Sequence, residues 1–129
     1  MNMAKPWLKN YPAGVPAEIV LPAHTSLVDI LDDSFERYAK RTAIESMGQS
    51  FSYDELNRLS IQFASYLQSL NLPEGSRIGI MFPNVTQYLV AMLGVLRAGF
   101  VVVNINPLYT PRELEHQLND SQASVLVLS

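Results

Sequence analysis

Apolar residues recur at helical spacing in two stretches of this chain, and each stretch begins with a residue that can cap a helix. The first stripe follows Thr25 or Ser26, either of which can serve as the N-cap, and consists of Leu27, Ile30, Leu31, Phe35 and Tyr38. The second stripe follows Ser52, which forms a Ser-x-x-Glu capping box with Glu55, and consists of Leu56, Leu59, Phe63, Leu67 and Leu70. We interpret both stripes as core-facing sides of amphipathic helices.

Shorter apolar runs predict strands between and after these helices. Residues 42–47 and 49–51 flank Gly48 and predict a β-hairpin. Residues 77–82 predict a buried strand, residues 85–98 an apolar helix buried on most sides, and residues 100–105 a strand covered on both faces. A final strand is predicted over residues 124–128.

From Arg77 onward the order is strand, helix, strand, helix, strand. This order is typical of parallel strands joined by right-handed crossovers, so we predict an α/β fold with an open, largely parallel sheet and flanking helices. Gly99 can take the left-handed conformation that ends a helix. Thr110, Pro111 and Glu113 form a capping box with proline at the first helical position, so they predict another helix start.

Open α/β sheets bind ligands beyond the carboxyl ends of their strands, which here correspond to residues 82–85 and 104–109. The loops contain Pro83, Asn84, Asn106 and Pro107. Asparagine and proline also shape turns for conformational reasons alone, and for any single residue this is the simpler explanation.

Four prolines interrupt residues 1–24 and predict an extended N-terminal arm: Pro6, Pro12, Pro16 and Pro22. We expect the arm to pack through Trp7, Leu8, Tyr11 and Ile19. Residues 25–129 then form the α/β subdomain, which with 48% hydrophobic residues in the chain is long enough to bury a core.

Composition excludes several kinds of function. The net charge is −3 and the nine basic residues are dispersed, which argues against nucleic-acid binding. Cysteine is absent and the two histidines are far apart, so we expect no disulfide, no thiol catalysis and no metal site.

The N-terminus lacks the apolar core of a secretory signal. The longest apolar stretch, residues 88–96, is far shorter than a membrane-spanning helix, which needs about 20 residues. We therefore expect a cytoplasmic protein.

Three side chains of catalytic type are more simply explained as surface residues: Asp32, Asp33 and His116. Asp32 and Asp33 are adjacent on a helix, where neighbouring side chains do not converge, so we expect them on a solvated face rather than as a catalytic pair. His116 can titrate near neutrality, but a surface position on its helix is the simpler expectation. No catalytic residue is predicted.

An ordered set of short motifs resembles the N-terminal portion of the bacterial long-chain fatty acyl-CoA ligases, which are AMP-forming, adenylate-forming enzymes. Trp7-Leu8 and Tyr11-Pro12 lie near the start, followed by residues 26–29 and 51–56. The motif Met81-Phe82-Pro83-Asn84, then Arg97-Ala98-Gly99, and then residues 106–114 complete the series. The resemblance covers essentially the whole chain.

The resemblance implies the N-terminal subdomain of an adenylate-forming enzyme that uses ATP, Mg²⁺ and CoA to convert a fatty acid into acyl-CoA, AMP and pyrophosphate. In acetate-activating relatives, the loop corresponding to Asn106, Pro107 and Leu108 lies beside the CoA nucleotide. This sequence lacks the aromatic and glycine residues that those relatives have there. Asn106 as a CoA contact is therefore a hypothesis, and Tyr109 is expected to be a packing residue.

For the full enzyme, peripheral association with the inner face of the membrane is a further expectation.

The family's phosphate loop, rich in Thr, Ser and Gly and ending in Lys-Gly, does not occur here, and no lysine follows Lys40. We therefore expect a fragment that is inactive alone and binds no cofactor tightly, and whose last strand favours self-association. Two other interpretations stay open. One is a non-catalytic α/β module for dimerisation or membrane docking, although its helices carry mixed charge; the other is a stand-alone nucleotide-binding domain.

Overall fold

The computed structural model describes residues 5–21 and 26–129. A short 3₁₀-helix spans Pro6–Asn10. The remaining elements follow in chain order: α1 (Leu27–Arg37), β1 (Thr42–Ser46), β2 (Gln49–Ser52), α2 (Tyr53–Ser69), β3 (Arg77–Met81), α3 (Thr86–Arg97), β4 (Val101–Asn104), α4 (Pro111–Ser121) and β5 (Val125–Leu128).

The three later strands form a parallel sheet in the order β4-β3-β5. Ile78 of β3 lies opposite Val102 on one side and Val125 on the other. The prediction of an open parallel α/β sheet is therefore confirmed. The predicted hairpin is also confirmed, because β1 and β2 pair antiparallel as a separate two-stranded sheet around the Met47-Gly48 turn.

Helix starts follow the capping residues. Ser26, Ser52 and Thr110 each accept a hydrogen bond from the backbone of the third helical residue, whose carboxylate in turn accepts from the cap's backbone N–H. Thr25, the other cap candidate for α1, lies outside the described residues. Helix α3 differs, because its N-cap is Val85 and no side chain caps it.

The core lies between the sheet and the helices α2 and α3. Its buried residues are Leu67, Ile78, Ile80, Ala91, Val95 and Phe100. Phe35, Leu56 and Leu93 form a second cluster where α1 and α2 meet α3. As predicted, α3 is covered on most sides, and of its residues only Gln87 is exposed.

Two sequence predictions about burial are wrong. Strand β4 is not covered on both faces: it is an edge strand, and Val101 is 46% exposed. A continuous apolar run cannot distinguish an edge from a centre, since that depends on the strand order. The expected packing of the arm is also wrong for Trp7, Tyr11 and Ile19, which are exposed.

An ion pair joins the two ends of the described arm. Lys5 pairs with Glu18, so the described residues 5–21 fold back across their own sequence, and Leu8 alone among the four expected anchors is half-buried. The rest of the predicted arm, residues 1–4 and 22–24, lies outside the described part of the chain.

Candidate functional site

The two loops singled out from the sequence lie side by side. Because β3 and β4 are parallel neighbours, residues 82–85 and 104–109 leave the same edge of the sheet. Asn104, at the start of the second loop, is bonded to two helices. Its side-chain oxygen accepts a 3.0 Å hydrogen bond from the Tyr88 hydroxyl of α3. Its backbone carbonyl accepts a 2.8 Å bond from the Gln117 amide of α4. The loop after β4 is thus braced by a helix on each side.

Asn106 shapes the turn that follows. Its side-chain oxygen accepts a 3.0 Å hydrogen bond from the backbone N–H of Leu108, and its carbonyl accepts one from Tyr109. This is the local pattern by which asparagine builds turns. Asn106, Pro107 and Leu108 are all exposed at the carboxyl edge of the sheet, Leu108 to 86%. The candidate CoA-side residues are therefore exposed together, and two Asn106 oxygens, Oδ1 and the backbone carbonyl, are engaged in the turn.

A polar groove of about 550 Å³ runs from this loop along α4. It is lined by Tyr109, Arg112, Glu113, His116, Gln117 and Asp120. Glu113 accepts hydrogen bonds from the Thr110 backbone N–H at 2.8 Å and from its hydroxyl at 2.7 Å, and these bonds lower the pKa of the Glu113 carboxyl. Glu113 therefore serves the helix cap, and the groove carries both signs of charge.

An apolar cavity of about 380 Å³ lies between α2, α3 and the carboxyl ends of β3 and β5. Its walls are mainly aromatic and aliphatic: Phe51, Leu59, Phe63, Phe82, Val90 and Val127. Thr86 and Gln87, from the first turn of α3, also line it. Thr86 is only 6% exposed.

Within residues 5–21 and 26–129, no group of three or more His, Asp or Glu side chains is placed to hold a metal ion. The same residues include no helix that combines the length and the apolar character needed to cross a membrane.

The sequence profile of one family, described as AMP-binding enzyme, matches residues 31–129, most of the chain. The chain belongs to this family. The match begins within α1 and includes every element that builds the two loops and both cavities.

Curated relatives match nearly the entire chain. A long-chain-fatty-acid–CoA ligase of Escherichia coli O6:H1 is 53% identical over 127 residues, which is 98% of this chain and 23% of that protein. A protein of the same name from Bacillus subtilis (strain 168) is 42% identical over 98% of the chain and 22% of its own length. The chain thus spans about a quarter of the length of these relatives.

The fold has solved counterparts in the family. The anthranilate CoA ligase AuaEII, in complex with anthranoyl-AMP, superposes with a TM-score of 0.77 at 26% identity. The superposition covers 84% of this chain and 21% of that one. The α/β arrangement is therefore that of an N-terminal subdomain of an adenylate-forming enzyme.

Sequence reasoning missed two features. The first is an ion pair between helices. As expected, Asp32 and Asp33 do not converge: Asp33 pairs with Arg37 one turn along its own helix. Asp32, however, pairs with Arg97 and so joins α1 to α3. The second is the cavity beside Thr86. No local pattern indicates this cavity, because its walls come from elements distant in sequence. His116 is exposed on α4, as expected.

Proposed function

We propose that this chain forms the N-terminal part of an AMP-forming long-chain fatty acid–CoA ligase. The observation that carries the proposal is the 53% identity, over 98% of the chain, to the E. coli O6:H1 long-chain-fatty-acid–CoA ligase. In this division, residues 1–24 are an N-terminal arm and residues 25–129 are the α/β subdomain that precedes the ATP-binding loop.

The reaction joins two steps. The fatty acid carboxylate attacks the α-phosphorus of ATP, which forms acyl-AMP and releases pyrophosphate. The CoA thiol then attacks the acyl carbonyl carbon, loses its proton and releases AMP. Activation gives the acyl group a good leaving group and divides one difficult transfer into two easier ones. Fatty acid, ATP and CoA are therefore the proposed substrates, with Mg²⁺ accompanying ATP.

The described residues do not fit the triphosphate or the metal. No acidic cluster suits Mg²⁺ in the described part of the chain, and its glycines do not form a phosphate-binding loop. In this proposal those groups are held elsewhere in the ligase. The chain supplies a wall of the substrate region, with Asn106, Pro107 and Leu108 as the CoA-side loop, because they extend from the carboxyl edge of the sheet.

Location and association follow from the same proposal. The ligase would act in the cytoplasm, with peripheral association at the inner face of the membrane to reach its fatty acid. The chain alone would lack turnover and would self-associate through its β5 edge.

The test compares the 129-residue chain with the complete protein encoded around it. We expect the complete protein to form acyl-AMP from palmitate and ATP, and to release AMP when CoA is added. The chain alone should stay at background in the same assay. Acetate and anthranilate serve as matched acids of other classes. Turnover by the isolated chain, or preference of the complete protein for acetate or anthranilate, would contradict the proposal.

A further inference from the structure

The base of the loop after β4 is held by two helices through a single residue. Asn104 is the last residue of β4, and its side-chain oxygen accepts the 3.0 Å hydrogen bond from the Tyr88 hydroxyl of α3. The same hydroxyl lies 3.8 Å from Met92 Sδ. A thioether sulfur is a weak acceptor, so we assign the hydroxyl proton to Asn104. This bond ties the end of the strand to α3.

The second bond closes the loop. The Gln117 amide of α4 donates to the Asn104 backbone carbonyl at 2.8 Å, which joins the residue before the loop tip, residues 106–109, to the helix after it. Ile105 is also fixed, because it is 4% exposed and its N–H donates to the Ile80 carbonyl at 3.0 Å. At the other end Thr110 caps α4. The loop tip therefore leaves from and returns to fixed backbone.

Gln117 makes its bond at the expense of its own oxygen. Its Oε1 is buried and has no hydrogen-bond partner among the described residues. A buried acceptor without a partner costs free energy. Methionine has a similar length and would avoid that cost, and the carbonyl of exposed Asn104 could bond to water instead. Stability therefore does not account for glutamine at this position, whereas a need to hold the base of the loop does.

The residues that the brace supports give a reason for it. Asn106, Pro107 and Leu108 are exposed at the loop tip and form the proposed CoA-side loop. Binding groups on a loop lose their contacts when they move by about 1 Å, so they need supporting bonds from rigid elements. Here those bonds come from α3 and α4.

We infer that Tyr88, Asn104 and Gln117 are positioning residues for the CoA step. They hold the CoA-side loop in place and take no part in bond making. The inference rests on the proposed function and adds to it three residues outside the loop tip.

The test uses the complete protein with Tyr88→Phe or Gln117→Met, each of which removes one donor and keeps the approximate shape of the side chain. Each should raise the apparent KM for CoA about three- to tenfold, the effect of one neutral hydrogen bond. The rate of acyl-AMP formation from palmitate and ATP without CoA should stay nearly unchanged. Deuterium uptake by a peptide covering residues 104–109 should become faster.

Thermal stability separates positioning from a merely structural role. Gln117→Met also removes the unpaired buried oxygen, so its Tm should equal or exceed that of the wild type while its KM for CoA rises. A residue needed only for folding would not give this combination. Tyr66→Phe and Gln62→Met are matched controls at exposed positions of α2 and should leave the KM and the deuterium uptake unchanged.

Three results would overturn the inference: an unchanged KM for CoA, unchanged deuterium uptake, or a parallel loss of both half-reactions and thermal stability. Failure of the ligase proposal is distinguishable, because it appears in the wild type, which would then not adenylate palmitate. Failure of the positioning inference appears only in variants of an active wild type.

Discussion

Arg97 of α3 donates a 2.5 Å hydrogen bond from Nη2 to Oδ1 of Asp32 on α1, across 65 residues of sequence. The same nitrogen donates to the Asn57 side chain of α2 at 2.7 Å, and the guanidinium lies 5.0 Å from the centre of the Phe35 ring. The Arg97 side chain is 13% exposed. One largely buried cation therefore joins three helices.

Asp32→Asn tests this junction, since it keeps the side-chain shape and removes the charge. We expect the free energy of unfolding to fall by about 1–2 kcal/mol, between the contribution of an exposed ion pair, about 0–1 kcal/mol, and that of a charged hydrogen bond, about 1.5–3 kcal/mol. Urea denaturation measures the change. Asp33→Asn is the control: its pair with Arg37 is a surface pair within one helix and should matter little. Equal effects of the two substitutions would show that the Asp32 bond contributes nothing beyond a surface pair.

Gly94→Ala tests the α2–α3 crossing. A Cβ at Gly94 would lie 2.7 Å from Phe63 Cδ1 and 3.1 Å from the Ser60 carbonyl oxygen, which belongs to the backbone of α2. We expect a loss of about 1–3 kcal/mol in unfolding free energy, because the helices must separate. At Gly79 the nearest atoms are the side-chain ends of Ile105 and Leu126, at 2.9 and 3.2 Å, which can shift. Gly79→Ala should therefore cost less, and the reverse order in thermal melts would contradict this packing.

The capping boxes predict a pH dependence. Hydrogen bonds from Ser52 and Thr110 lower the pKa of the Glu55 and Glu113 carboxyls in the folded chain. A lowered folded pKa contributes stability that is fully present above the unfolded value, about 4.3, and is lost as pH falls through the folded pKa. The wild type should thus melt higher than Glu55→Gln/Glu113→Gln at pH 7, and the difference should shrink below about pH 4.3.

Circular dichroism melts at several pH values between 3 and 7 provide that measurement. Glu74→Gln is the control, because no hydrogen bond to the Glu74 side chain occurs in the described part of the chain. It should melt like the wild type throughout. A gap between the double variant and the wild type that stays constant down to pH 3 would refute the capping explanation.

Two substitutions of Asn106 separate a turn role from a CoA contact in the complete protein. Asn106→Asp keeps an oxygen that can accept from the Leu108 N–H, whereas Asn106→Ala removes it. We expect both to raise the apparent KM for CoA, because both remove the amide donor, while acyl-AMP formation stays nearly unchanged. If instead Asn106→Ala alone has an effect, and both half-reactions fall together with thermal stability, Asn106 is a turn residue only.

The free edge of β5 predicts self-association of the 129-residue chain. Within the described residues β5 pairs only with β3, and Leu128 is 58% exposed beside half-buried Val127. No charge or proline interrupts this apolar edge. Sedimentation velocity should show larger species as concentration rises. Leu128→Lys should restore the monomer, while Gln49→Lys on the separate hairpin should not. A monomer at every concentration would exclude this contact.

Local chemistry allowed most helix and strand boundaries to be predicted from the sequence. Ser52 with Glu55, and Thr110 with Glu113, are capping boxes whose bonds close within three residues, so the helix starts depend on neighbouring residues alone. Gly99 ends α3 with φ of +82°, a conformation that glycine tolerates without strain. The alternation of strand and helix also sufficed for the parallel sheet, because right-handed crossovers leave few topologies.

Only the tertiary structure decided strand burial, ion pairing between helices and the apolar cavity, because these depend on partners distant in sequence. The apolar run of β4 is the same whether the strand is central or at an edge, and only the folded arrangement places it at the edge with Val101 46% exposed. Asp32 is exposed, as predicted, but its pairing with Arg97 could not be predicted from the sequence because Arg97 lies two helices away along the chain. The cavity at Thr86 required the folded arrangement, since its walls come from β2, α2, α3 and β5. Capping and turn interactions join residues a few positions apart, so the local sequence predicts them. Burial and ion pairing between helices arise only when separate elements pack together.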